Sequence, residues 1–136
     1  MIALEKIILL NQLALFAPLH TDQIREIAEI TEEDHRREGE LLYAKGDDAG
    51  HLYILIKGMV EVELSVKDRD ANKKTYTAPQ ILGETTLFST AVQQQNARCI
   101  ADTEFLIIER DDLEALIYQT PAIAIGLLNV FSSKPS

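Results

Sequence analysis

Between Val60 and Val66 the chain reads VEVELSV, four apolar residues in strict alternation with polar ones. Successive side chains of a β-strand point to opposite faces, so this period fits a strand with one buried face and does not fit a helix. Leu52-Tyr-Ile-Leu-Ile56 and Phe105-Leu-Ile-Ile108 are short apolar runs bounded by turn residues, the pattern of core strands. Punctuation recurs through the same region, at Gly39, Gly46-Asp47-Asp48, Lys57-Gly58, Asp68 to Asn72 and Gly83. Short strands separated by turn signals predict an antiparallel sandwich or small barrel over residues 32–109.

On either side the period changes. Residues 2–31 are helical in pattern, and their second half opens with Thr21 as a helix N-cap and spaces Ile24, Ile27 and Ala28 on one face. Residues 110–131 return to helix, with a capping-box pattern at Asp111 and Glu114. Thr120 then caps a last helix that starts with Pro121, where a missing N–H costs nothing. That helix, 121–131, is apolar almost all round and needs a cover. The barrel or the first helix is one cover; a second copy of the chain or a larger-protein partner is another. A length of 136 residues suits one domain spanning 1–136 with a single closed core.

Charge narrows the partners. Lys and Arg total 13 against 22 Asp and Glu, a net charge of −9. Duplex nucleic acid is gripped largely by cations on its phosphates, so this chain is not expected to bind nucleic acid directly. The densest basic candidates, His35-Arg36-Arg37 and Lys73-Lys74, are short and flanked by acids. The N-terminal apolar stretch falls short of the roughly 20 uninterrupted residues a spanning helix needs: Glu5, Lys6, Asn11 and Gln12 break it and Pro18 closes it. It also lacks the basic start and small-residue cleavage site of a signal peptide. The lone Cys99 forms no internal disulfide and reads as a small core residue, so a cytoplasmic location is expected.

Residues that would mark an enzyme are sparse. His20, His35 and His51 are scattered without metal-site spacing, and no His-x-His pair of the kind a cupin uses is present. No Gly-x-Ser-x-Gly elbow or Cys/His nucleophile context appears. A metal-dependent cupin-like enzyme is therefore the weakest of three readings, and no catalytic residue, metal ligand or cofactor is assigned.

Gly39-Glu-Leu-Leu-Tyr-Ala-Lys-Gly-Asp47, Leu52-Tyr-Ile-Leu55 and Lys57-Gly-Met-Val-Glu-Val62 share a glycine and apolar spacing. That spacing resembles the cyclic nucleotide-binding domain family, which includes catabolite-activator-type regulators, protein kinase A regulatory subunits and cyclic-nucleotide-gated channels. Leu13-x-Leu-Phe-x-x-Leu19 and Arg110-Asp-Asp-Leu113 extend the resemblance over nearly the whole chain. It implies a mainly β fold with flanking helices: an antiparallel β-roll (a double-stranded β-helix, or jelly roll) carrying N- and C-terminal helices. It also implies a regulatory, non-enzymatic module whose ligand is a cyclic nucleotide.

The family's ligand cassette resembles Phe-Gly-Glu-aliphatic-small-Leu, followed nine residues after the Glu by an Arg that binds phosphate. Gly83, Glu84 and Leu87 match, while Leu82 stands in place of the aromatic and Thr85 and Thr86 occupy the aliphatic and small positions. By the resemblance, Glu84 accepts a hydrogen bond from the ribose 2′-hydroxyl. Gln93 falls where the Arg belongs, Gln94 and Gln95 replace small residues, and Asn96 replaces Thr. The family pattern resumes in register from Ala97 through Asp102-Thr-Glu-Phe-Leu106.

An Arg gives charge-assisted, bidentate contacts worth about 1.5–3 kcal/mol each, against about 1 kcal/mol for a neutral amide. The exchange predicts cyclic nucleotide binding weaker by about 100-fold. Arg98 lies an odd number of residues beyond Gln93, so in a regular strand it faces solvent and cannot replace the lost cation. The ligand-side residues expected are thus Gly83, Glu84, Thr85, Thr86, Gln93 and Gln94. Alternatively, Gly83 merely supplies a turn and Glu84 merely caps a short helix. The domain would then work without ligand, by protein contact through 121–131.

Overall fold

The computed structural model describes residues 1–63, 73–83 and 92–133. They fall into two compact units: residues 32–107, and residues 1–31 together with 108–136.

The first unit is built from strands. Among the described residues these are β1 (Glu32–Arg36), β2 (Leu41–Tyr43), β3 (His51–Lys57), β4 (Met59–Glu63), β5 (Lys73–Thr77), β6 (Gln80–Leu82), β7 (Ala97–Cys99) and β8 (Thr103–Glu109). They form two four-stranded sheets, ordered β1-β8-β3-β6 and β2-β7-β4-β5. Except between β4 and β5, which are neighbours in the second sheet, the chain crosses from one sheet to the other at each successive strand, which is the winding of a β-roll. The alternating sequence is realised in β4, where Val60 and Val62 are buried while Glu61 and Glu63 are not. Residues Leu64 to Val66 lie outside the described residues.

Inner-face side chains of both sheets share one apolar cluster. Tyr53, Leu55, Leu82 and Phe105 come from the first sheet; Leu42, Tyr43, Val60, Val62, Ala97 and Cys99 come from the second. The Tyr53 ring stacks on Tyr43 at 5.9 Å and meets Phe105 edge-on at 6.3 Å, geometries that suit the aromatic quadrupole. Cys99 is fully buried in this cluster, and burial pushes its thiol above the ordinary range. It is packing, as its sequence context implied. The turn between β3 and β4 depends on Gly58, whose φ is +104°. A Cβ there would press into the Thr103 side chain and the Asp102 carbonyl, so no other residue fits.

The second unit contains α1 (Ala3–Gln12), α2 (Thr21–Glu29), α3 (Arg110–Gln119) and α4 (Ala122–Ser133). α2 buries Ile24, Ile27 and Ala28, the face read from the sequence. The caps differ from expectation. His20, not Thr21, is the N-cap of α2, and its backbone N–H donates to Gln23 Oε1 at 3.0 Å. α3 begins one residue before Asp111, with Glu109 at the N-cap, so Asp111 and Asp112 sit in the first turn and favour the positive end of the helix. Thr120 terminates α3, and its hydroxyl donates to Glu26 Oε2 at 3.0 Å instead of capping α4.

α4 is partly covered within its own unit. Ile123 and Leu127 are buried, and the Leu19 side chain occupies the space a Cβ on Gly126 would need. Ile125 and Leu128 remain 62% exposed. Among the described residues no helix is long and apolar enough to cross a membrane.

Candidate ligand-binding site

Gln93 enters the roll on a short non-helical segment that is tied down by its backbone. Its N–H donates to the Asp47 carbonyl at 2.7 Å, and its own carbonyl accepts from the Gly46 N–H at 2.8 Å. An isolated antiparallel bridge joins Asp48 and Val92 alongside. Asn96, at the end of the same segment, accepts from the Lys45 N–H at 2.7 Å and donates Nδ2 to Glu63 Oε2 at 3.4 Å. The residue that replaces the family threonine therefore fastens the segment to β4 and to the turn after β2.

The three glutamines part ways. Gln93 is only 6% exposed, and its buried Nε2 has no hydrogen-bond partner among the described residues. Gln94 is exposed and turns its Nε2 back onto the Val92 carbonyl at 3.3 Å. Gln95 is half-buried. A buried donor left unmet costs about 1–3 kcal/mol; Arg36 Nε and His51 Nδ1 share this state with Gln93 Nε2 among the described residues.

Gly83 flanks the same region. Its φ is +94°, and a Cβ would stand 2.6 Å from the His51 carbonyl oxygen, so the backbone after β6 passes hard against the start of β3. Gln93 is pinned to Gly46 and Asp47, and Gly83 packs on His51; the short stretch 46–51 thus holds both. Glu84, Thr85 and Thr86 lie outside the described residues.

Residues 33–120 match the cyclic nucleotide-binding domain family. The chain belongs to that family. It is 28% identical over 97 residues to a CRP-like cAMP-activated global transcriptional regulator of Mycobacterium tuberculosis, a match covering 71% of this chain and 43% of that protein. The chain spans less than half the length of the curated relatives it matches. Among solved structures, the N-terminal domain of a transcriptional regulator from Streptomyces coelicolor aligns with a TM-score of 0.82 at 23% identity, covering 91% of this chain and 89% of that one. A regulatory subunit of a cAMP-independent protein kinase A from Trypanosoma cruzi, bound to guanosine, aligns at 0.78 with 18% identity, covering 98% of this chain and 47% of that one.

Within this cyclic nucleotide-binding fold, Arg98 points outward, as the sequence implied. It is exposed between buried Ala97 and Cys99, and its Nη1 donates to the Gly39 carbonyl at 2.6 Å. A different guanidinium faces inward. Arg36 pairs with Thr103 across β1 and β8, and Asp34 pairs with Phe105. Opposed residues of antiparallel strands share a face, which puts Arg36 and Asp34 on the inner side of the first sheet. In the sequence Arg36 figures only in a short basic cluster flanked by acids, with no orientation assigned. Its charge is answered in place by Asp34 Oδ2, 3.1 Å from Nη2.

Electrostatics inside the roll follow from burial. Burial, with smaller contributions from the Tyr76 and Tyr53 hydroxyls, pushes the Tyr43 phenol up to about 12. Tyr53 is raised for the same reason, with Arg36 pulling the other way. Both phenols stay neutral at physiological pH. Among the described residues, no group of three or more His, Cys, Asp or Glu side chains is placed to hold a metal ion.

Proposed function

We propose that the β-roll is a regulatory, non-enzymatic ligand-sensing module that holds a cyclic nucleotide or a related anion. The ligand side is formed by Gly83, Glu84, Thr85, Thr86 and Gln93, with exposed Gln94 at the rim. The single observation that carries this reading is the buried Gln93 amide with an unmet donor, in a chain of the cyclic nucleotide-binding family; the cassette resemblance sets that residue where the family's phosphate-binding Arg would stand. A ligand oxygen supplies the missing acceptor. Titration calorimetry of the protein with cyclic AMP and cyclic GMP tests it, with micromolar to millimolar binding expected. No heat from either at millimolar concentration removes the cyclic nucleotide as the ligand, and none from inorganic pyrophosphate as well overturns the reading.

A second reading rests on α4. Ile125 and Leu128 lie one turn apart on one helix face and are 62% exposed, which suits contact with a second copy or a larger-protein partner. Sedimentation of Ile125→Glu/Leu128→Glu against the parent protein separates the two. A parent dimer that the double variant converts to monomer supports contact through α4; a parent that is monomeric throughout the micromolar range removes self-association. Leu127, being buried, is the wrong position for that test.

A further inference from the structure

Lys73 and Lys74 are neighbours on β5, and the strand sends them to opposite faces. The register sets Lys73 opposite Glu63, Lys74 opposite Val62 and Tyr76 opposite Val60. Val60 and Val62 belong to the buried cluster between the sheets, and Tyr76 packs against it. Lys74 and Tyr76 therefore stand on the side of β5 that carries this cluster, Tyr76 half-buried against it and Lys74 exposed beyond it at the sheet edge. A second observation agrees: the Lys74 ammonium lies 4.8 Å from the centroid of the Tyr76 ring, the residue two places along on the same side.

The two lysines differ in how their charge is answered. Lys73 faces outward, with Nζ 3.4 Å from Glu61 Oε1. Among the described residues Lys74 has no carboxylate partner, only the tyrosine ring. A chain with 22 acidic residues against 13 basic ones has every opportunity to neutralise a cation. Among the described residues, carboxylates answer the outer lysine and the inward Arg36 but not Lys74.

Position matters as much as charge. Val62 pairs with Lys74 on one side and with Ala97 on the other. The three form one row across the second sheet, with Lys74 and Ala97 about 10 Å apart over two strand spacings. Ala97 is where the segment carrying Gln93 joins β7. Exposed Lys74 thus lies at the end of the sheet where the segment carrying the buried Gln93 amide enters β7.

We infer that Lys74 is the anion-facing cation of this roll, supplying from β5 the charge that Gln93 lacks, and that the ligand carries a phosphate or comparable anion. This rests on the reading that the roll holds a ligand. A lysine is a point charge on a flexible stem, not a fixed fork, so it selects for charge more than for phosphate geometry. The aromatic face beneath it keeps the ammonium in place while leaving it open to an anion.

The test is titration calorimetry of the parent protein, Lys74→Met, Lys74→Arg and Lys73→Met with cyclic AMP, cyclic GMP, guanosine and inorganic pyrophosphate, at low and high salt. Lys74→Met is expected to weaken anion binding by about tenfold or more and to flatten its salt dependence. Lys74→Arg restores binding, Lys73→Met changes it less than about twofold, and neither affects uncharged guanosine. If the parent binds anions and Lys74→Met binds them equally well, the inference is wrong while the ligand-sensing reading stands. Pyrophosphate held through Lys74 without any nucleotide binding upholds the inference and removes the cyclic nucleotide. A parent protein that binds none of the anions at millimolar concentration removes both.

Discussion

Replacing Gln93 with methionine should make the ligand-free protein more stable. The two side chains have similar length and volume, so the packing around position 93 is largely kept. What changes is the amide. At 6% exposure it has lost nearly all its water, and its Nε2 donor gains no partner among the described residues. Removing an unmet buried donor relieves a penalty of about 1–3 kcal/mol, and the thioether gains some apolar transfer energy. Any hydrogen bond accepted by the amide oxygen is forfeited, worth about 1 kcal/mol. The net expectation is stabilisation of about 1 kcal/mol, or about 3–5 °C in Tm for a chain of this size. Thermal and urea unfolding of nucleotide-free protein measure it, and the same variant should bind cyclic nucleotide more weakly than the parent. A Gln93→Met protein less stable than the parent would mean the amide is already satisfied in solution and needs no ligand oxygen.

Gly58→Ala should lose about 2–4 kcal/mol in urea unfolding, from a positive φ plus overpacking against Thr103 and Asp102; a loss under 1 kcal/mol would show that the β3–β4 turn relaxes freely. Tyr43 is raised from 10.0 to about 12, so folding favours its protonated form. Its contribution is complete below pH 10 and declines as pH rises through about 12. Stability measured across that window should fall less steeply in Tyr43→Phe than in the parent. Arg98→Ala removes an exposed hydrogen bond to the Gly39 carbonyl, so melting should shift by no more than about 1 kcal/mol with nucleotide affinity unchanged. A loss of affinity would place Arg98 on the ligand side after all.

The roll was legible in the sequence because its signals are local. Alternation in VEVELSV and the glycines at turns need no knowledge of distant partners, and the burial of Ala97 and Cys99 around exposed Arg98 follows from the same period. The outward Arg98 came out as expected, although counting from Gln93 was not the reason. Regular strand begins only at Ala97, and the segment before it bends. The α2 cap fell one residue earlier than expected because a backbone N–H can use a side chain at N3, as His20 uses Gln23, without a hydrogen bond from the side chain of the cap residue itself. The differing fates of Gln93 and Gln94 were hidden for a similar reason. Three identical amides carry no orientation signal, and the hydrogen bonds to Gly46 and Asp47 that set Gln93 inward come from far away in sequence. Arg36 and Lys74 were hidden most deeply. Their facing is decided by pairing with β8 and β4, which no short window reveals.

β5 is an outermost strand of its sheet, bonded on one side to β4 alone. Sliding it by a single residue would exchange the two lysines, turning the carboxylate-paired one inward and the open one out. Tyr76 is what resists the slip, since its ring is seated on the buried cluster and would have to leave it. Substitutions at this tyrosine can therefore exchange which lysine stands on the cluster side of β5 without touching a charged residue, through strand alignment alone.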